Sequence, residues 1–209
     1  MRSFLRRRHG VERFPITTED LQNLIEEFAD DLDSYADLSD FGDDVEGMTA
    51  FFPDRRPTVL ISDRLASDAR REKRLRTTLA HEFGHLYFHR QLWDEKFFVD
   101  RLFGRDDWKN KAICKRETIL EATHDDWMEW QAGYVSGALL MPISRLRPLV
   151  EDVWQSNHLV DPIDLETKPV QALIQHIKEQ FAVSGDAARV RLLKLNAITD
   201  HSSADFASV

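Results

Sequence analysis

Residues 81–85 read His-Glu-Phe-Gly-His, inside a stretch whose apolar positions Leu75, Leu79, Phe83 and Leu86 recur at helical spacing. Histidines at i and i+4 stand about one turn apart, roughly 6 Å along the axis at ~1.5 Å rise per residue, so both imidazoles leave one face. Placed in this way they can share one ion at about 2.0–2.1 Å, the usual zinc–nitrogen distance. Glu82 projects beside them, positioned to act as general base on a bound water. With 8 His and 14 Glu in 209 residues, chance alone yields about 0.02 such patterns. The buried stripe beside the histidines also requires this helix to lie against a core.

Two histidines leave a catalytic zinc site incomplete, because it takes three protein ligands and keeps one open position. A metzincin would need Gly at the seventh position after His81 and His at the tenth, where the chain has Phe88 and Gln91. The inverted HxxEH order is also absent. A carboxylate from a later helix remains, and Glu129 is the best placed. It heads a seam of small residues, Ala132, Gly133, Ser136 and Gly137, that lets one helix approach another closely. The opposite face, with Trp127, Trp130, Tyr134, Val135 and Ala138, is expected to fill the core. Glu117, Glu121, Asp125 and Asp126 compete in sequence, but none opens such a seam.

Composition bounds the alternatives. The one cysteine, Cys114, excludes a disulfide framework, Cys-cluster zinc modules and iron–sulfur sites. In Ala112-Ile113-Cys114 it reads as a small buried hydrophobe. The eight glycines never form GxGxxG or GxxxxGK[ST], so the two common nucleotide-binding loops are missing. A net charge of −9 argues against broad binding to nucleic acid or anionic membrane. Arg2, Arg6, Arg7 and Arg8 lack a following apolar stretch and no run approaches ~20 apolar residues, so a cytoplasmic protein is expected.

The charge is unevenly spread. Residues 1–15 read as a flexible basic arm. Ile16 to Gly47 hold twelve acids and no Lys or Arg, whereas residues 55–76 hold eight Lys/Arg against three acids. The two blocks either neutralise each other across the fold or present a charged face to a protein. Leu21, Leu24, Ile25, Phe28, Leu32 and Tyr35 keep helical spacing, with Thr17 as N-cap. Met48–Phe52 and Thr58–Ile61 read as an antiparallel hairpin across a Pro-Asp-Arg-Arg-Pro turn. A long helix should begin at Ser67 or Asp68 and reach about His89, and another should cover 126–141 before Pro142. Residues 16–145 are taken as the catalytic core. Beyond it, residues 146–209 form a C-terminal segment in which a linker precedes a helix pair at Val170–Phe181 and Gly185–Leu195. Its apolar residues mark that pair for packing rather than DNA reading.

HEFGHLYFH at 81–89, followed by EWQAGYVSGALLMP at 129–142, resembles the ImmA/IrrE metallopeptidases over roughly residues 45–195. Gly133 and Val135 depart from the Asn and Phe usual in that family. The resemblance implies an α+β, zincin-like fold with a small, mainly antiparallel sheet packed on the HExxH helix. It implies Zn2+ on His81, His85 and Glu129, with Glu82 as the catalytic glutamate. It also implies an endopeptidase acting on a helix–turn–helix transcription repressor in stress or mobile-element control. An edge strand of the hairpin is expected to hold the substrate extended by β-addition. The alternative is a non-catalytic, metal-containing regulator or antitoxin-like binding protein. His89 is expected to be structural, with support of a metal ligand as its alternative role, and His124 and Tyr134 are minor candidates for stabilising an oxyanion.

Overall fold

The computed structural model describes residues 1–103, the strand backbone at 111–115, and residues 127–158 and 163–199. These fall into two compact units, Met1–Ser136 and Gly137–Val209. The first begins with helix α1 (Arg2–His9), closed by Gly10 in the left-handed conformation at φ 74°. The expected flexible arm is therefore helical at its start. The physical reason is burial of Phe4 and Leu5, which anchors one face while the arginines stay outside.

Thr17 caps α2 (Thr18–Glu26) as predicted, in a full capping box with Asp20. The helix ends sooner than its apolar spacing predicts, and Leu32 and Tyr35 lie in strand β1 (Asp31–Ala36). The short apolar run satisfied both periods, and pairing of β1 with β3 decided it.

The hairpin is present as β2 (Val45–Ala50) and β3 (Thr58–Ser62), antiparallel with Met48 opposite Leu60. With β4 (Lys111–Lys115) the sheet runs β1-β3-β2-β4, parallel only between β1 and β3. It is small and mainly antiparallel. Both hairpin strands are interior, so the edge strand expected from the hairpin is not there: β1 and β4 take the edges. Alternation along the strands, shifted by an irregularity between Val45 and Gly47, divides the two faces. Ala36, Leu38, Val45 and Met48 cluster on one side with Phe41 and Leu60. Gly47 and Thr49 point the other way, toward the helix carrying His81.

That helix, α4, spans Glu72–Phe88. It starts later than predicted because Asp68 caps a separate 3-10 turn (Ala69–Arg71) after a one-turn α3 (Asp63–Ala66). It contacts α2 and strands β2, β3 and β4, and its residues Leu75 to Leu86 are buried. Helix α5 (Arg90–Leu102) follows directly, where no element had been assigned from sequence.

The charged blocks neutralise each other within this unit. Arg55 meets Asp30 at 3.3 Å and Arg64 meets Asp43 at 3.0 Å, while Arg71 and Arg74 converge on buried Glu46. From α1, Arg7 reaches Glu27 at 2.9 Å, Arg8 reaches Glu19 at 2.7 Å and His9 reaches Asp20 at 2.6 Å.

Helix α6 (Trp127–Leu140) contains the division between the units. Its last turn belongs with the C-terminal unit: Arg191 lies against Gly137 and donates to the Met141 carbonyl at 3.3 Å. Helix α7 (Ile143–Ser156) occupies part of what read as linker, with Leu146 and Trp154 buried. Helices α8 (Lys168–Gln180) and α9 (Gly185–Lys194) match the expected pair. Leu173, Ile177, Phe181, Ala188 and Leu192 are buried, as packing requires. Strands β5 (Ile163–Asp164) and β6 (Ile198–Thr199) pair in parallel. Among the described residues no helix is long and apolar enough to cross a membrane.

Candidate metal centre

The seam on α6 works as its small side chains predict. Ala132 and Ser136 are buried against α4, and Ser136 donates its hydroxyl to the Thr77 carbonyl at 3.1 Å. Gly84 is the matching gap on α4: a Cβ there would lie 2.9 Å from the Ala132 Cα and 3.2 Å from its carbonyl oxygen. Only glycine permits this approach. The expected aromatic core face fares differently. Trp127 is 52% exposed, and Trp130 and Tyr134 stack on each other half-buried with ring centroids 5.7 Å apart. The seam itself takes the inward side of the helix, leaving the bulky residues outside.

Close approach brings Glu129, at the head of α6, over the paired histidines. Glu129 Oε2 lies 3.1 Å from His81 Nε2, Glu129 Oε1 lies 3.1 Å from His85 Nε2, and the two Nε2 atoms are 3.0 Å apart. Burial pushes the Glu129 carboxyl up, but its contacts with His81 and His85 outweigh burial and bring it down to about 2. It is a carboxylate at neutral pH.

The donor set fits a zinc ion. Tetrahedral ligands at 2.0–2.1 Å from one centre stand roughly 3.3–3.4 Å from each other, within a few tenths of the separations seen. His81, His85 and Glu129 also form a group of ligand atoms within 4.8 Å, the spacing a single cation spans. Two imidazole lone pairs and a carboxylate, all buried and converging, repel one another unless a cation lies among them.

Glu82 leaves the helix beside this group and turns to the sheet. Thr49 on β2 donates its hydroxyl to Glu82 Oε2 at 2.6 Å, and both residues are fully buried. Gly47, two residues earlier on the same face, makes room: a Cβ there would lie 2.6 Å from Glu82 Oε1. Sequence reasoning missed Thr49 and Gly47. A glycine inside an apolar strand was the available signal, since it marks close approach by another group; Thr49 gave none.

The remaining candidates separate. His89 is fully buried one turn beyond His85, with its Nδ1 2.9 Å from the His85 Nδ1. Tyr134 stacks on Trp130 as above. Cys114 lies on β4. His124, Glu117, Glu121, Asp125 and Asp126 lie outside the described residues.

Comparison with curated proteins finds no match. A family model described as Peptidase_M78, the IrrE N-terminal-like domain, matches residues 35–193, a span that includes the HExxH helix, the strand carrying Thr49 and the helix carrying Glu129. The chain has an α+β, zincin-like fold and belongs to this metallopeptidase family.

Proposed function

We propose that the protein is a zinc-dependent endopeptidase whose substrate is a helix–turn–helix transcription repressor in a stress or mobile-element switch. The observation that carries the peptidase reading is the convergence of His81, His85 and Glu129 within 3.0–3.1 Å of each other, with Glu82 held by Thr49 beside them. His81, His85 and Glu129 would hold the ion. Zinc bound there supplies a Lewis acid that polarises the scissile carbonyl and lowers the pKa of water toward about 7. Glu82, aimed by the Thr49 hydroxyl, would take the proton of the attacking water and deliver it to the departing amine. Strand β4 is the sheet edge next to β2 among the described residues, and it offers backbone groups to a substrate laid alongside as an added strand.

The repressor assignment rests on family resemblance, and the acidic net charge favours a protein partner over direct DNA contact. The test is to incubate zinc-loaded protein with candidate helix–turn–helix repressors from the same genome, and to follow cleavage by gel and mass spectrometry. Cleavage by the wild type and none by Glu82→Gln, with zinc content unchanged, is the expected result. Tight binding of the repressor by both proteins without cleavage would favour the non-catalytic regulator instead.

A further inference from the structure

His81 and His85 differ in what stands behind them. Nδ1 of His81 has no hydrogen-bond partner among the described residues. Nδ1 of His85 meets Nδ1 of His89 at 2.9 Å, and on the far side of that ring Nε2 of His89 meets Oε1 of Gln131 at 2.9 Å. His89 lies just past the end of α4 and is fully buried. Gln131 is on α6, two residues after Glu129, so the helix that supplies the carboxylate also holds this row.

With the Gln131 amide oxygen facing His89, hydrogen-bond chemistry allows the row one neutral arrangement. An amide oxygen only accepts, so His89 Nε2 must carry the hydrogen. A neutral imidazole has a single N–H, which leaves His89 Nδ1 as an acceptor. His85 Nδ1 must then be the donor, and His85 Nε2 keeps its lone pair. That lone pair is on the atom 3.0 Å from His81 Nε2 and 3.1 Å from Glu129 Oε1. In the other tautomer a hydrogen would point into the converging donor set, where a cation belongs.

We infer that His89, oriented by Gln131, is a positioning residue that fixes His85 in the Nδ1–H tautomer and so keeps its Nε2 ready for the metal ion. The inference rests on the reading that His81, His85 and Glu129 hold that ion. A partner that orients a ligating histidine contributes typically 10–100-fold to metal affinity.

The experiment measures zinc affinity by competition with a chromophoric chelator in wild type, His89→Phe, Gln131→Leu and Gln131→Glu. Folding of each is checked by circular dichroism. Long-range 1H–15N NMR of the histidines reads the tautomers directly. The expected result is a loss of about 10–100-fold in zinc affinity for His89→Phe and Gln131→Leu, with Gln131→Glu, which still accepts, within about threefold of wild type. NMR of the wild type should show His89 with its hydrogen on Nε2. Where His89→Phe fails to fold, Gln131→Leu, substituted at a half-buried side chain, makes the same comparison. Wild-type zinc binding with unaltered affinity in the variants, or a hydrogen on His89 Nδ1, would overturn this inference alone. A wild-type protein that binds no zinc would overturn the metal reading and the inference together.

Discussion

Replacing Gly84 by alanine inserts a methyl group where α4 and α6 approach most closely. The added Cβ would lie 2.9 Å from the Ala132 Cα, 3.2 Å from its carbonyl oxygen and 3.3 Å from its Cβ. Carbon atoms sit comfortably at about 3.5–4.0 Å, so the helices must part by about half an ångström. No side-chain rotation relieves the contact, because two of the three atoms are backbone. Alanine in a helix interior gains about 1 kcal/mol over glycine, while overpacking a fitted interface costs about 1–3 kcal/mol. The net expectation is a loss of roughly 1 kcal/mol. The larger consequence falls on the centre. Glu129 rides on α6, and a half-ångström displacement exceeds the ±0.2 Å that coordination distances tolerate, so zinc affinity should fall on the order of tenfold. Urea denaturation of the metal-free protein and chelator competition measure the two effects. A Gly84→Ala protein that is about 1 kcal/mol more stable and binds zinc as tightly as wild type would show that the α4–α6 contact does not hold Glu129 in place, since propensity would then be the whole effect.

Two further predictions follow from the same packing. Thr49→Val keeps shape and strand propensity but removes the donor to Glu82 Oε2. Peptidase activity should drop about tenfold or more with zinc content unchanged, and urea denaturation should show a loss of about 1–3 kcal/mol; unaltered kcat in the variant would refute the role given to Thr49. Asp20 is buried; its carboxylate accepts from the Thr17 backbone N–H while its own backbone N–H donates to the Thr17 hydroxyl in the capping box, with His9 and Arg13 beside the carboxylate. Burial pushes its carboxyl up, but the hydrogen bonds with His9 and Thr17 and the Arg13 charge outweigh burial and leave it below the ordinary carboxylate value. A folded-state value below the unfolded one stabilises the protein above the unfolded pKa of about 3.9, and this is lost as pH falls through the folded value. Asp20→Asn should therefore be less stable than wild type by about 1–3 kcal/mol at pH 7, and the gap should close in acid; a gap that is constant from pH 7 to pH 2 would count against the linkage.

The legible parts of this chain were those in which one period or one motif acted alone. The HExxH spacing located the face of α4, and the run Glu129-Ala132-Gly133-Ser136 located the helix that meets it, because close helix approach needs small side chains whatever else the fold does. Thr17 read correctly as an N-cap for the same reason: its role is local. Leu32 and Tyr35 misled because six residues with alternating and helical periods superimposed are decided by strand pairing with Thr58–Leu60, a long-range event. The edge of the sheet was hidden for a similar reason. A hairpin is visible in sequence, but its neighbours β1 and β4 arrive from outside it. Phe4 and Leu5 were overlooked among the arginines of α1, although two apolar residues sufficed to anchor a helix that ion pairs then hold against α2. Thr49 and Gln131 carry no motif at all; their roles depend on which groups the fold places opposite them, at 2.6 Å from Glu82 and 2.9 Å from His89.

The most direct test of the metal centre is anomalous diffraction at the zinc edge from crystals of the protein grown with one equivalent of zinc. A single strong peak is expected about 2.0–2.1 Å from His81 Nε2 and His85 Nε2 and within about 2.2 Å of a Glu129 oxygen, lost in Glu129→Ala. A peak elsewhere on the molecule, or one that persists unchanged without the Glu129 carboxylate, would contradict it.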